Sequence, residues 1–236
     1  MVFKKRDPVL GCAEKTKFPV LVSVMGKIGV GKSYYTQHII AAMSEHGKKA
    51  AMLSSGDLVR AEIAAMSEIG RAIKDAYDAG VLCDYDLVKQ LIFQELIRLR
   101  DDDHDVVFLD GAIRNIDQIE QLGDHFMGHV KGSIHLLASD DIILERIEKR
   151  SRDLIAQGGE ARQDDSDMNA VRKRLDVYNN QVLPAHEVLV DMIGRNGHFT
   201  IEIPCENHRD PDEIRDLALE QIVPQLIEII DEHNTL

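Results

Sequence analysis

Val20–Ser33 reads VLVSVMGKIGVGKS. Val20 to Met25 is an apolar run rich in β-branched residues, which predicts a buried strand. The run meets Gly26, and the loop Gly26-x-x-x-x-Gly31-Lys32-Ser33 then leads into YYTQHIIAAM, a helical pattern. A strand, a glycine-rich loop and a helix in this order form the context in which such a loop binds phosphate. Gly26, Gly29 and Gly31 allow a tight turn that points backbone N–H groups inward as an anion nest. The following helix adds the positive end of its dipole. Lys32 can reach the β- and γ-phosphates of a nucleoside triphosphate, and Ser33 can offer its hydroxyl to Mg²⁺.

Working outward, Tyr34–His46 reads as a helix closed by Gly47, and Lys48–Leu53 as a second strand. Ser54-Ser55-Gly56-Asp57 reads as a loop before the helical stretch Leu58–Met66. Glu68–Ala79 is a further short helix stopped by Gly80. Asp84 can cap the helix Tyr85–Arg100, whose Leu87, Leu91, Ile92, Leu96 and Leu99 share one stripe. The acidic run Asp101–Asp105 reads as a solvated turn. Val106–Leu109 is a continuous apolar strand ending in Asp110-Gly111, and such strands belong in a parallel sheet covered on both faces. Asp110 then stands where a phosphate-loop protein places an acidic residue beside its metal.

Ile116–Leu122 is a short helix, Ser133–Ala138 a fourth strand and Asp140–Lys149 the helix after it. Ser151–Asp165 contains Gly158-Gly159 and charges of both signs, which suggests a mobile flap. Asp167–Val190 is a long helical region, bent or interrupted at Pro184. Phe199–Ile203 is the last strand and Asp212–Asp231 a terminal helix. The alternation predicts an α/β protein, a three-layer α/β/α fold around five parallel strands.

The chain has 236 residues, enough for one large α/β domain, and its 28 basic against 41 acidic residues give a net charge of −13. That balance argues against nucleic acid as a main partner. Cys12, Cys83 and Cys205 lie far apart, so they make neither a disulfide framework nor a metal clip, and a reducing cytoplasm is expected. No apolar run is long enough to span a membrane. MVFKKRDPVLGC lacks a sustained apolar segment, so residues 1–17 read as a poorly ordered leader rather than a signal peptide.

Further motifs follow the strands in order. They are SSGDLVR (Ser54–Arg60), LDGAIRNIDQ (Leu109–Gln118), ERIEKR (Glu145–Arg150), RQDD (Arg162–Asp165) and VRKRLDVY (Val171–Tyr178). Together with the phosphate loop, the set resembles the adenylate kinase family of nucleoside monophosphate kinases. The resemblance extends from about Phe18 to Leu217. It implies phosphoryl transfer from MgATP to a nucleoside monophosphate, a reaction that depends on positioning and charge neutralisation. Arginine suits such work because its fork binds phosphate oxygens in pairs.

By resemblance, Gly26, Gly29, Val30, Gly31, Lys32, Ser33 and Tyr34 would form the ATP loop, with Arg146 stacked on the donor adenine. Asp110 would hold Mg²⁺ through water, helped by Asp57, and Ser33 would complete the metal's protein partners. Arg60 and Arg114 would grip the acceptor's α-phosphate, while Arg150, Arg162 and Arg174 would close over the transferring group. Arg162 and Arg174 would also touch the acceptor, and Gly111 would lie against it. Asp164 and Asp165 would pair with arginines on closure. An acceptor-binding arm is expected near 54–82 and a short lid near 151–165. Gln118 and Ser55 stand where adenylate kinases carry residues that read adenine, which ranks AMP first as acceptor. Asn115 is a UMP/CMP-like letter, so CMP or UMP ranks second. The resemblance also implies a monomer.

Three departures qualify it. The family's Lys-Gly-Thr is here Lys32-Ser33-Tyr34. Tyr34 either turns into the sheet–helix interface or alters the Mg²⁺ shell. The family's Phe-Pro-Arg is Ala112-Ile113-Arg114. A cis bond before Ile113 would cost roughly 3 kcal/mol more than trans, so a trans bond is expected, with a rerouted backbone that could displace Arg114. Spacing from the paired aspartates to Arg174 also runs about one residue long. Tyr34 and Ala112-Ile113 motivate one alternative, a nucleotide-binding regulatory module without catalysis. The short flap has no cysteine tetrad, so no zinc site is expected. His125 and His129 read as surface histidines. His208-Arg209-Asp210 matches part of a protein-kinase motif by chance, and by resemblance that turn would pass near the donor adenine.

Overall fold

The computed structural model describes residues 18–158, 167–196, 198–206 and 210–235. The expected leader, most of the expected lid with Arg162, Asp164 and Asp165, the side chain of His125, and His208-Arg209 lie outside the described residues.

Five strands form one parallel sheet: β1 (Val20–Gly26), β2 (Ala50–Ser54), β3 (Val106–Asp110), β4 (Val130–Leu137) and β5 (Phe199–Pro204). Their order is β2-β3-β1-β4-β5. β1 is central, with Val24 opposite Asp110 on one side and Ile134 on the other. The helices are α1 (Lys32–Glu45), α2 (Ser55–Ala64), α3 (Glu68–Asp78), α4 (Tyr85–Asp101), α5 (Ile116–His129) and α6 (Asp140–Ala156). They continue with α7 (Met168–Val177), a π turn (Tyr178–Val182), α8 (Leu183–Arg195) and α9 (Pro211–Thr235).

Alternation along β1 builds two cores. Val20, Val22 and Val24 pack with Ile39 and Met43 of α1 and Leu226 of α9. Leu21 joins Val107, Leu109, Ile92, Leu96 and Leu189 on the opposite face. A sheet buried on both sides explains why β1 and β3 carry near-continuous apolar runs. Among the described residues, no helix is long and apolar enough to cross a membrane.

Some boundaries differ from those read in the sequence, and local capping explains one of them. Ser54 caps α2 by accepting from the Asp57 N–H at 3.2 Å, so Ser55-Gly56-Asp57 are helical rather than loop. Asp84 caps α4 as expected, accepting from the Asp86 N–H at 2.9 Å. Ser151–Ala156, read as the start of a flap, continues α6 without interruption. Within Asp167–Val190 the π turn joins α7 to α8 with helical backbone on both sides, and Pro184 follows that turn as the second residue of α8.

Candidate active site

The carboxyl ends of β1, β2 and β3 converge on one cavity of about 420 Å³. On one side lies the loop between β1 and α1. Gly26 has φ +147°, and a Cβ there would stand 2.8 Å from the Leu136 carbonyl, so only glycine fits where the loop leaves the sheet. Lys32, the first residue of α1, folds back over the loop. Its Nζ donates to Gly26 O at 2.9 Å and Lys27 O at 3.2 Å, and lies 3.7 Å from Asp110 Oδ1. Ser33 and Tyr34 line the same wall.

Tyr34 does not turn into the sheet–helix interface. The residue is 44% exposed, and its ring meets Tyr35 and His38 edge-on at centroid distances of 5.1 and 4.7 Å. Tyr35 occupies the buried position instead. Val30 and Arg146 are not part of the cavity lining. Arg146 Nη1 donates to Val30 O at 3.2 Å and Nη2 to Cys205 O at 2.8 Å, which ties the glycine loop to the end of β5.

The opposite wall is assembled from separate elements. Ser55 (α2), Arg60 (α2), Gly111 and Arg114 (after β3), Gln118 (α5), Arg150 (α6) and Arg174 (α7) all line the cavity. The Ser55 hydroxyl donates to Gly111 O at 2.8 Å and accepts from Arg114 Nη2 at 3.1 Å. Arg114 Nε also donates to Gly111 O at 3.1 Å. Gly111 has φ +74°, and a Cβ there would lie 2.7 Å from Ser55 Oγ, so this cluster requires glycine. Gln118 Oε1 accepts the Arg114 N–H at 2.6 Å. Asn115 accepts the Gln118 N–H at 3.0 Å and caps α5.

No cis peptide bond occurs among the described residues. Ala112 and Ile113 turn into the core, each 2% exposed, and Arg114 stays on the cavity wall instead of being displaced.

Electrostatics follow from burial. Desolvation pulls the Arg114 guanidinium below its ordinary value, opposed chiefly by Asp110, while Arg174 adds to the lowering. Burial also works against the charge on Arg60, yet its bonds to Tyr77 and Asp57 hold it above the ordinary value. Arg174 lies over the Tyr77 ring at 5.7 Å. The cavity is therefore strongly cationic within an acidic chain, as concentration of phosphate requires.

Tyr77, Cys83, Tyr85 and Tyr178 also line the cavity. Sequence reasoning assigned none of them a place in the site, because the apolar spacing of a helix marks its core face and not which polar side chains reach a cavity built from other segments. Tyr85 donates to Ala112 O at 3.2 Å and so braces the Arg114 turn.

Asp110 and Ser33 are hard oxygen donors that line the cavity with Lys32, whose Nζ lies 3.7 Å from Asp110 Oδ1. Among the described residues, no three His, Cys, Asp or Glu side chains converge. A donor set of one carboxylate and one hydroxyl fits Mg²⁺, which keeps waters and takes substrate phosphates as its other ligands.

A parallel α/β/α sheet with this loop beyond its central strand, facing a wall of arginines, defines the P-loop kinase class. A family model described as adenylate kinase matches residues 24–192. The chain is 34% identical over 135 residues to an adenylate kinase of Brucella anthropi, covering 56% of this chain and 68% of that protein. Adenylate kinases of Brucella ovis and Brucella canis are 33% identical over 135 residues with the same coverage. The chain belongs to the adenylate kinase family. It is a nucleoside monophosphate kinase, a phosphotransferase.

Proposed function

We propose that the acceptor is AMP, so that the reaction is ATP + AMP = 2 ADP. The observation that carries this reading is the Gln118 amide at the cavity wall. Its Oε1 already accepts the Arg114 N–H, so its Nε2 is the group presented to a base as donor. Adenine N1 accepts such a hydrogen bond, whereas guanine N1 carries a hydrogen and would clash with the donor. Cytosine N3 is also an acceptor, which leaves CMP as the runner-up. Asn115 does not vote for a pyrimidine, because its side-chain oxygen caps α5.

In this mechanism Lys32 leaves its loop carbonyls to hold the β- and γ-phosphates. Arg60 and Arg114 hold the acceptor phosphate, one oxygen of which attacks the γ-phosphorus. The bond to the bridging oxygen breaks, and its electron pair remains on the departing ADP. Arg150 and Arg174, joined by Arg162, neutralise charge on the transferring group. Asp110 and Ser33 would hold Mg²⁺, which when bound would supply charge neutralisation at the donor phosphates. Arg146 acts as a strut between loop and sheet before any contact with the donor base. The same proposal takes the protein as a cytoplasmic monomer with an arm at 54–82 and a lid at 151–165.

The test is ADP formation from MgATP with AMP, CMP, UMP, GMP or no acceptor, beside Lys32→Ala. AMP-dependent turnover that is lost in the variant supports the proposal. Faster turnover with CMP or UMP overturns the adenine argument. ATP binding without acceptor-dependent turnover would favour the regulatory alternative.

A further inference from the structure

β4 carries a histidine between two apolar neighbours. His135 is 4% exposed, and its Nε2 lies 2.7 Å from the Tyr178 hydroxyl. His186 of α8 meets the His135 ring at 4.4 Å between centroids. Glu202 of β5 places a carboxylate oxygen 3.5 Å from His135 Nδ1. Lys27 of the glycine loop adds positive potential. His135 Nδ1 and His186 Nδ1 find no hydrogen-bond partner among the described residues. An apolar pair would avoid that cost, so stability alone does not account for these histidines.

The partner of His135 has a particular place in the chain. Tyr178 opens the π turn, and Arg174 precedes it by one helical turn. Residues four apart share a helix face, and both side chains line the cavity. The next residue, Asn179, reaches Asp140 Oδ2 at 3.5 Å. Asp140 in turn pairs with Lys27 of the glycine loop at 2.5 Å. A π turn widens the helix by one residue and changes its phase. Apolar packing tolerates such a slip, whereas a directional hydrogen bond to the sheet does not.

We propose that His135 is a positioning residue for phosphoryl transfer: its bond to Tyr178 sets the rotation of α7 and thereby the approach of Arg174 to the reacting phosphates. The inference rests on the role proposed for Arg174 at the transferring phosphoryl group.

The test uses the full chain and compares Tyr178→Phe, His135→Leu, their double variant, His135→Gln and Arg174→Lys. Turnover and KM are measured with AMP and MgATP, ATP affinity by calorimetry and Tm by calorimetric scan. Tyr178→Phe keeps the ring, so it carries the test even if His135→Leu fails to fold. Each single variant at the bond should lower kcat about tenfold, with ATP affinity unchanged. The double variant should be no worse than either single, because both remove one bond. His135→Gln, which keeps a side-chain hydrogen-bonding group, should restore most of the turnover. Wild-type kcat in Tyr178→Phe beside an impaired Arg174→Lys would overturn the inference and leave the site reading intact. Additive losses that track Tm would overturn it too, by making the role merely structural. Wild-type kcat in Arg174→Lys would remove the premise and the inference together.

Discussion

The two walls of the cavity are built in opposite ways. In the proposed mechanism the donor wall is one contiguous segment, Gly26–Tyr34, where backbone N–H groups, the α1 dipole and Lys32 would act together. The wall proposed for the acceptor draws Ser55, Arg60, Arg114, Gln118 and Arg174 from four segments that meet only in the folded sheet. A contiguous site depends on local backbone geometry, which glycine spacing controls directly. An assembled site depends on strand order and helix phase, and each side chain in it needs a neighbour to hold it. The Ser55–Gly111–Arg114–Gln118 hydrogen bonds are that support.

The comparison can be broken most forcefully at Lys32. Lys32→Ala should reduce turnover on the order of a thousandfold while the melting temperature stays near that of the parent. A variant with full turnover would remove the donor wall from the mechanism. Arg114→Lys comes next. It keeps the charge but loses the fork that holds both Gly111 O and Ser55 Oγ, so turnover should fall on the order of a hundredfold. ATP affinity should not change, and a matching loss of ATP binding would show that the walls are not separable.

Gln118→Leu should have a smaller effect, raising the KM for AMP on the order of tenfold and narrowing the preference for AMP over GMP. An unchanged preference would place base reading elsewhere.

The smallest effect concerns pH and stability. Burial, and Lys27 second, hold His135 down at about 4, and burial with the His135 charge holds His186 at about 4. Unfolded histidines titrate near 6.5, so between these values the unfolded chain binds more protons. Their contribution is complete above about pH 6.5 and is lost as pH falls towards 4. Melting temperature followed from pH 7 to pH 4.5 should fall, and His135→Leu should flatten that fall. An equal slope in the variant would show that other groups govern the acid limb.

How much of this was legible in the sequence differs by element. The apolar run Val20–Met25 and the glycine spacing after it identified β1, its loop and α1, because both signals are local. Motif order along the chain pointed to Arg60, Arg114 and Arg174, yet not to what steadies them. Ser54-Ser55-Gly56 looked like loop because glycine and serine favour turns. In the fold Ser54 caps a helix, and Ser55 turns beneath Gly111. Tyr34 and Tyr35 are adjacent and chemically alike, and helix phase alone decides that Tyr35 is buried and Tyr34 exposed.

The sequence by itself determined the fold class, the glycine loop that leads from β1 into Lys32 and Ser33, and the family. These rest on periodicity and on spacing within short segments. Only the tertiary structure decided that Arg146 ties Val30 to Cys205, that Asn115 caps a helix, and that His135 meets Tyr178 across forty-three residues. Such contacts depend on which strands are neighbours and how each helix is rotated on the sheet. No local pattern records either, because both are settled by packing of the whole chain.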